Sequence, residues 1–144
     1  MVLPFIVFVA ALTEIVWQVT TASVLDAAAL RASRFGITGQ QRLAATPPAL
    51  TCRSLAIPWL ISHSTGNFLK SSRITVTSQS WATLGSQRDA AAPTTGAGQG
   101  GQVAVYTVEY RQPYLTPGFF GAASHRIHRA TVTVMNEPFS NAVC

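Results

Sequence analysis

Few side chains in this sequence could carry chemistry. Its 144 residues include three histidines, two cysteines and five acids. Glu14 is the sharpest of them. It is the one formal charge between Met1 and Leu25, and its neighbours are Leu12, Ile15, Val16 and Trp17. A carboxylate in such a setting costs about 2.5–3.5 kcal/mol at a bilayer centre. Two readings stand. Glu14 is paired, or it lies hydrated at a membrane interface with Trp17 as an interfacial anchor. A pairing partner is expected from another chain or an N-terminal amine, because no Lys or Arg precedes Arg31.

The other candidates lack company. His125 and His128 are three apart at the start of an expected strand, where that spacing puts them on opposite faces. They read as exposed polar residues at a loop–strand junction, not as metal ligands, and no metal site is expected. A Cys52/His63 dyad has no supporting signature, and no Gly-x-Ser-x-Gly elbow is present. Asp89 falls in a loop, and Glu109 and Glu137 stand alone at expected strand ends. These residues form no catalytic constellation. No cofactor or small-molecule substrate is expected. Cys52 and Cys144 are the only two cysteines. In an exported chain they would pair, closing a loop of about 90 residues worth ~4 kcal/mol in the chain-entropy model. In a reducing compartment they would remain two thiols.

The elements that must position these residues begin with a long helix. Met1 to Leu12 is continuously apolar, and Ala- and Leu-rich sequence follows over residues 22–34. The helix is expected to run to about Arg34, with Gly36 and Gly39 as stops. Two adjoining faces compete for burial, one with Val24, Ala27, Ala28 and Arg31, the other with Leu25, Ala28, Ala29 and Ala32. Residues 40–48 form a linker. Thr46-Pro47 opens a short helix carrying Cys52 and Leu55, interrupted near Pro58. Arg73 to Gln79 alternates, with Ile74 and Val76 on one side and Thr75 and Thr77 on the other. Residues 89–101 are Gly/Ala-rich and read as a flexible loop; no Lys-Ser/Thr ending makes them a phosphate cradle. Gln102 to Tyr110 is the strongest strand, ended by Pro113, and Ile127 to Met135 is the third. The expected fold is α+β: a long N-terminal transmembrane helix packed against a small antiparallel sheet. The division is residues 1–39, the anchoring helix, and 40–144, a small exported domain. A sheet that small needs an apolar surface to cover, and the helix supplies it.

Composition narrows the class. Charged residues are 10 % of the chain, against about 25 % in a typical soluble domain. Hydrophobic residues are 48 % and mean hydropathy is +0.28. Both argue against a freely soluble enzyme and against a disordered tail. Net charge is +5, but the ten cations are scattered singly from Arg31 to Arg129, which argues against a nucleic-acid partner. The apolar N-terminus admits a secretory signal, a buried core helix or a membrane anchor. The pure apolar run is short of a full span, so all three compete; the anchor is favoured over the signal because no basic residue precedes the apolar core.

Two ends of the chain carry a resemblance. Val2-Leu3-Pro4, the apolar run, Glu14, the stretch Val24 to Phe35 and Gly39 resemble the TadE-like proteins of tight-adherence (Tad) pilus systems. The strand Ala130 to Phe139, above all Asn136-Glu137-Pro138-Phe139, is similar to that family's closing strand. Tyr114-Leu115-Thr116-Pro117 is similar to its aromatic-Leu-x-Pro segment. Together these cover about a third of the chain, and Glu14 matches the family's distal glutamate. The family's leader, basic residues and a Gly ahead of a cleavage point, would lie upstream of Val2.

The resemblance implies a pilin-like fold and a minor pilin or pseudopilin acting in assembly of an adhesion pilus. It implies an inner-membrane, single-pass protein with an exported C-terminal domain, present in surface filaments when assembled. The partners implied are other pilin-like subunits and the Tad assembly machinery. Val2 to Val24 would pack on neighbouring subunits' helices, with Glu14 setting register by pairing. Loops around 85–101 and 112–125 would face outward. The alternative is a secreted periplasmic or envelope binding protein whose first ~22 residues are a cleaved signal peptide.

Overall fold

The structure, a computed structural model, describes residues 2–38, 53–116 and 124–138. Helix α1 spans Val2–Ile37 and helix α2 spans Arg53–Ser64. A single 3-10 turn, Ser71–Arg73, leads into strand β1, Ile74–Trp81. Then come a one-turn helix α3, Leu84–Arg88, and strands β2, Thr94–Thr95, β3, Val103–Pro113, and β4, His125–Met135. The sheet is antiparallel throughout, in the order β2-β1-β3-β4. The α+β architecture of a long apolar helix on a small antiparallel sheet is thus the observed one.

Alternation explains the sheet's inner face. Ile74, Ala104, Tyr106, Val108, Tyr110 and Ala130 are buried in one cluster, with Val76, Val132 and Val134 packed against it. Thr75 and Thr77 lie on the other face, as the alternation predicts. Of the two candidate faces of α1, the one with Leu25, Ala28, Ala29 and Ala32 is buried. Helix and sheet therefore share one core. Leu25, Tyr106 and Tyr110, each at most 2 % exposed, lie in it; burial of side chains this size contributes about 1.5–3 kcal/mol each.

Several local expectations are corrected. Helix α1 does not stop at Gly36. Gly36 is buried within it, and a Cβ there would lie 2.5 Å from the Tyr106 hydroxyl oxygen. The glycine lets the tyrosine of β3 reach the helix backbone. Pro58 does not interrupt α2. As the sixth residue it forgoes one early hydrogen bond, and burial of Ala56, Ile57 and Ile61 holds the helix regardless. The 89–101 segment is not simply a free loop. Thr94 and Thr95 pair with β1, and the buried amide of Asn136 donates to the carbonyls of Ala97 (2.8 Å) and Gln99 (3.0 Å). The expected start of the second helix near Thr46 lies outside the described residues.

Two contacts set the direction of α1. Gln18 meets His128, and the Glu137 backbone N–H donates to the Ile37 carbonyl at 3.0 Å. Helix and strand β4 therefore run parallel, both covering about 30 Å between those contacts at 1.5 and 3.3 Å per residue. Upstream of Glu14 the helix projects past the sheet. Val2, Leu3, Phe5 and Phe8 are 60–76 % exposed there. The projecting length, residues 2–13, is about 18 Å. By length and composition alone, α1 is long and apolar enough to cross a membrane.

Candidate functional site

The buried stripe of α1 begins with polar residues. Glu14, Gln18 and Thr21 precede Leu25, Ala28 and Ala32 at three- and four-residue steps. Thr21 donates its hydroxyl to the Trp17 carbonyl of its own helix, at 2.9 Å. Glu14 and Gln18 instead look outward from the helix into the end of the sheet.

Glu14 is 1 % exposed. Its Oε1 accepts from Gln18 Nε2 at 2.6 Å. Its Oε2 accepts from the backbone N–H groups of Leu115 (2.8 Å) and Thr116 (3.1 Å), and from Thr116 Oγ1 (3.3 Å). A carboxylate accepting several hydrogen bonds is held in its charged form without a cation. The only ion pair among the described residues is elsewhere, between Arg129 and Glu109.

The contacts fix the orientation of Gln18. An ionised carboxylate only accepts, so the amide nitrogen must face Glu14 and Oε1 must face away. Gln18 Oε1 lies 2.7 Å from His128 Nε2. An amide oxygen only accepts, so His128 carries its proton on Nε2 and donates. The result is a directed chain: imidazole to amide to carboxylate, closed by two consecutive backbone N–H groups. It ties α1 to β4 and to the start of the β3–β4 connection. Burial depresses the His128 pKa below its ordinary value, the Arg126 cation adds to this, and Asp26 opposes it. A neutral imidazole suits the donor role.

This arrangement corrects several expectations. Among the described residues Glu14's hydrogen-bond partners are uncharged groups of this chain. Glu14 is not hydrated at a surface, and Trp17 packs edge-on against Phe68, with ring centroids 5.2 Å apart. His128 is buried, not exposed, while His125 is exposed on the outer face. Glu109 is not isolated at a strand end: it sits within β3, opposite Arg129, which donates to it at 2.9 Å. His63 stacks on Trp59, at 4.6 Å. Among the described residues no three His, Cys, Asp or Glu side chains gather as a metal site would need. Cys52 and Cys144 lie outside the described residues.

The reading of the sequence passed over Gln18, although its place one turn beyond Glu14 was the available signal. His128 had no signal in the sequence, because its contact with Gln18 spans 110 residues. Leu115 and Thr116 fall in a segment noted for its resemblance, but they act through backbone N–H groups, which every residue but proline carries.

No family model, curated protein or solved structure matches the chain. Function is therefore read from the geometry of this clasp and of the helix it holds.

Proposed function

We propose that the chain is a membrane-anchored, pilin-like subunit of the TadE-like kind, acting in assembly of an adhesion pilus through packing of its projecting helix. The observation that carries this reading is the exposed apolar half of α1, continuous with a helix built into a folded sheet domain. An exposed patch of that extent marks a membrane or protein interaction surface. Residues 2–13 reach about 18 Å, against about 30 Å of bilayer hydrocarbon. They can thus occupy more than one leaflet's depth while the sheet stays in water. In a filament, the same apolar surface packs against neighbouring helices.

In this reading Glu14 does not set register by pairing with a neighbour. It clamps the 114–116 segment to the helix at the point where the helix leaves the domain, and so fixes the direction of projection. The secreted alternative removes the first ~22 residues. That cut would fall inside α1 and take away Glu14 and Gln18, leaving buried His128 and the 115–116 amides without their partners. The geometry favours a retained helix.

The test is N-terminal sequencing of the native protein from sheared surface filaments and from membranes. A mature start upstream of Glu14 in membranes, with recovery in filaments, is the expected result. A soluble fraction starting near Ser23 would overturn the reading.

A further inference from the structure

Four of the ten cations that look scattered along the sequence, Lys70, Arg73, Arg111 and Arg126, come together at one end of the sheet. Strand β1 begins at Ile74, opposite Tyr110, and β3 ends at Pro113, opposite His125. Arg73 and Lys70 therefore enter at the same end of the sheet where Arg111 and Arg126 stand in the last rungs of β3 and β4. Arg129 is further in, level with Glu109. This is the end from which α1 projects, because Glu14 meets Leu115 and Gln18 meets His128.

The acids at this end leave the cations unbalanced. Glu14 is buried and consumed by the clasp, and Glu109 is matched by Arg129. Lys70, Arg111 and Arg126 are exposed and Arg73 is half-buried. Arg126 also lines a shallow cavity of about 310 Å³ with Glu14, Ile15, Gln18, Val19 and Tyr114, where apolar side chains meet a guanidinium.

We propose that this end of the sheet is a docking surface for the anionic headgroups of a lipid bilayer. The inference rests on the membrane-anchor reading and adds to it a lipid preference. When hydrocarbon takes up the exposed apolar half of α1, the headgroup layer lies at the level of Glu14. That is the level of Arg111 and Arg126. Anionic lipid at that level neutralises the patch, and the domain is held against the membrane with α1 steeply inserted. An acidic protein surface would match the same charge. The lipid is favoured because these cations lie at the level where an apolar helix leaves the domain.

The test uses the purified full chain and flotation with two kinds of vesicle, phosphatidylcholine alone and phosphatidylcholine with a third phosphatidylglycerol. Each cation near an anionic surface contributes about five-fold to partitioning. The wild type is expected to bind both vesicles, with a gain on anionic ones of about 100-fold at low salt, shrinking as NaCl rises from about 0.1 M to 0.5 M. The triple variant R73Q/R111Q/R126Q, folded by circular dichroism, is expected to bind neutral vesicles as before and to lose most of the gain. R111Q/R126Q alone, both exposed positions, serves if the triple variant unfolds. Equal binding to both vesicles overturns the inference and leaves the anchor reading standing. A gain that survives the substitutions also overturns it. Binding to neither vesicle overturns the anchor reading and the inference with it. Salt-sensitive self-association without a lipid preference overturns the inference as well, and reassigns the patch to contacts between copies of this chain.

Discussion

Replacing Gln18 by Met breaks the clasp at its middle while keeping length and volume. Two buried groups then lose their partners: Glu14 Oε1 loses its donor, and the His128 Nε2–H loses its acceptor. An unsatisfied buried polar group costs about 1–3 kcal/mol, and more for a charged one. The Glu14 carboxylate keeps three of its four donors, so its share belongs near the lower bound. The expected loss is about 3 kcal/mol, a large part of a domain's typical 5–15 kcal/mol. For a chain of this size, at roughly 3 °C per kcal/mol, Tm falls by about 10 °C. The assay is thermal unfolding of the full chain in detergent, followed by far-ultraviolet circular dichroism. A double-mutant cycle sharpens it. In Q18M/H128L the histidine is gone and leaves no orphaned donor, so the second substitution costs less than it does alone, with a coupling of at least about 1 kcal/mol. A Q18M Tm within about 2 °C of wild type, or strict additivity in the cycle, would refute the claim that these three side chains act as one unit.

Two further predictions concern the same interface. For Gly36→Ala, the new Cβ meets the Tyr106 hydroxyl oxygen at 2.5 Å and its ring carbon Cζ at 2.8 Å, so about 1–3 kcal/mol is lost, with partial recovery in G36A/Y106F measured by urea unfolding. The pKa of His128 is depressed by the fold, so its contribution to stability is present above its ordinary value near 6.5 and is lost as pH falls from there toward the lowered value. Wild-type urea midpoints should therefore drop on acidification through that window, and H128Q should show a shallower drop; equal slopes would remove His128 as the cause.

The sequence was most readable where one period ran unbroken. The alternation from Ile74 declared β1, and the helical period narrowed the buried side of α1 to two adjoining faces, of which the fold buries the one with Leu25, Ala28, Ala29 and Ala32. It was least readable where a feature was short or distant. Strand β2 has two residues and α3 has five, too few for any periodicity to register. Glu14 announced itself as a carboxylate needing partners, but reasoning from charge pointed to cations. The actual donors are an amide one turn away, a threonine hydroxyl and two backbone N–H groups. Backbone donors are invisible in a sequence, and His128 became a neighbour only when β4 was laid alongside the helix. The grip of Asn136 on the 97–99 carbonyls was hidden for the same reason.

The parallel course of α1 and β4 also sets a timetable. The helix is synthesised about a hundred residues before the strand it lies on, and the Gln18–His128 contact closes across 110 residues. Contacts of such separation form late, after a large loss of chain entropy. Until then the carboxylate and amide of α1 have each other but neither the imidazole nor the 115–116 amides, and the apolar stripe has no sheet over it. The newborn helix is complete in itself yet exposed on every side. It has to be sheltered for as long as translation of the rest takes, and the last long strand is what releases it from that shelter.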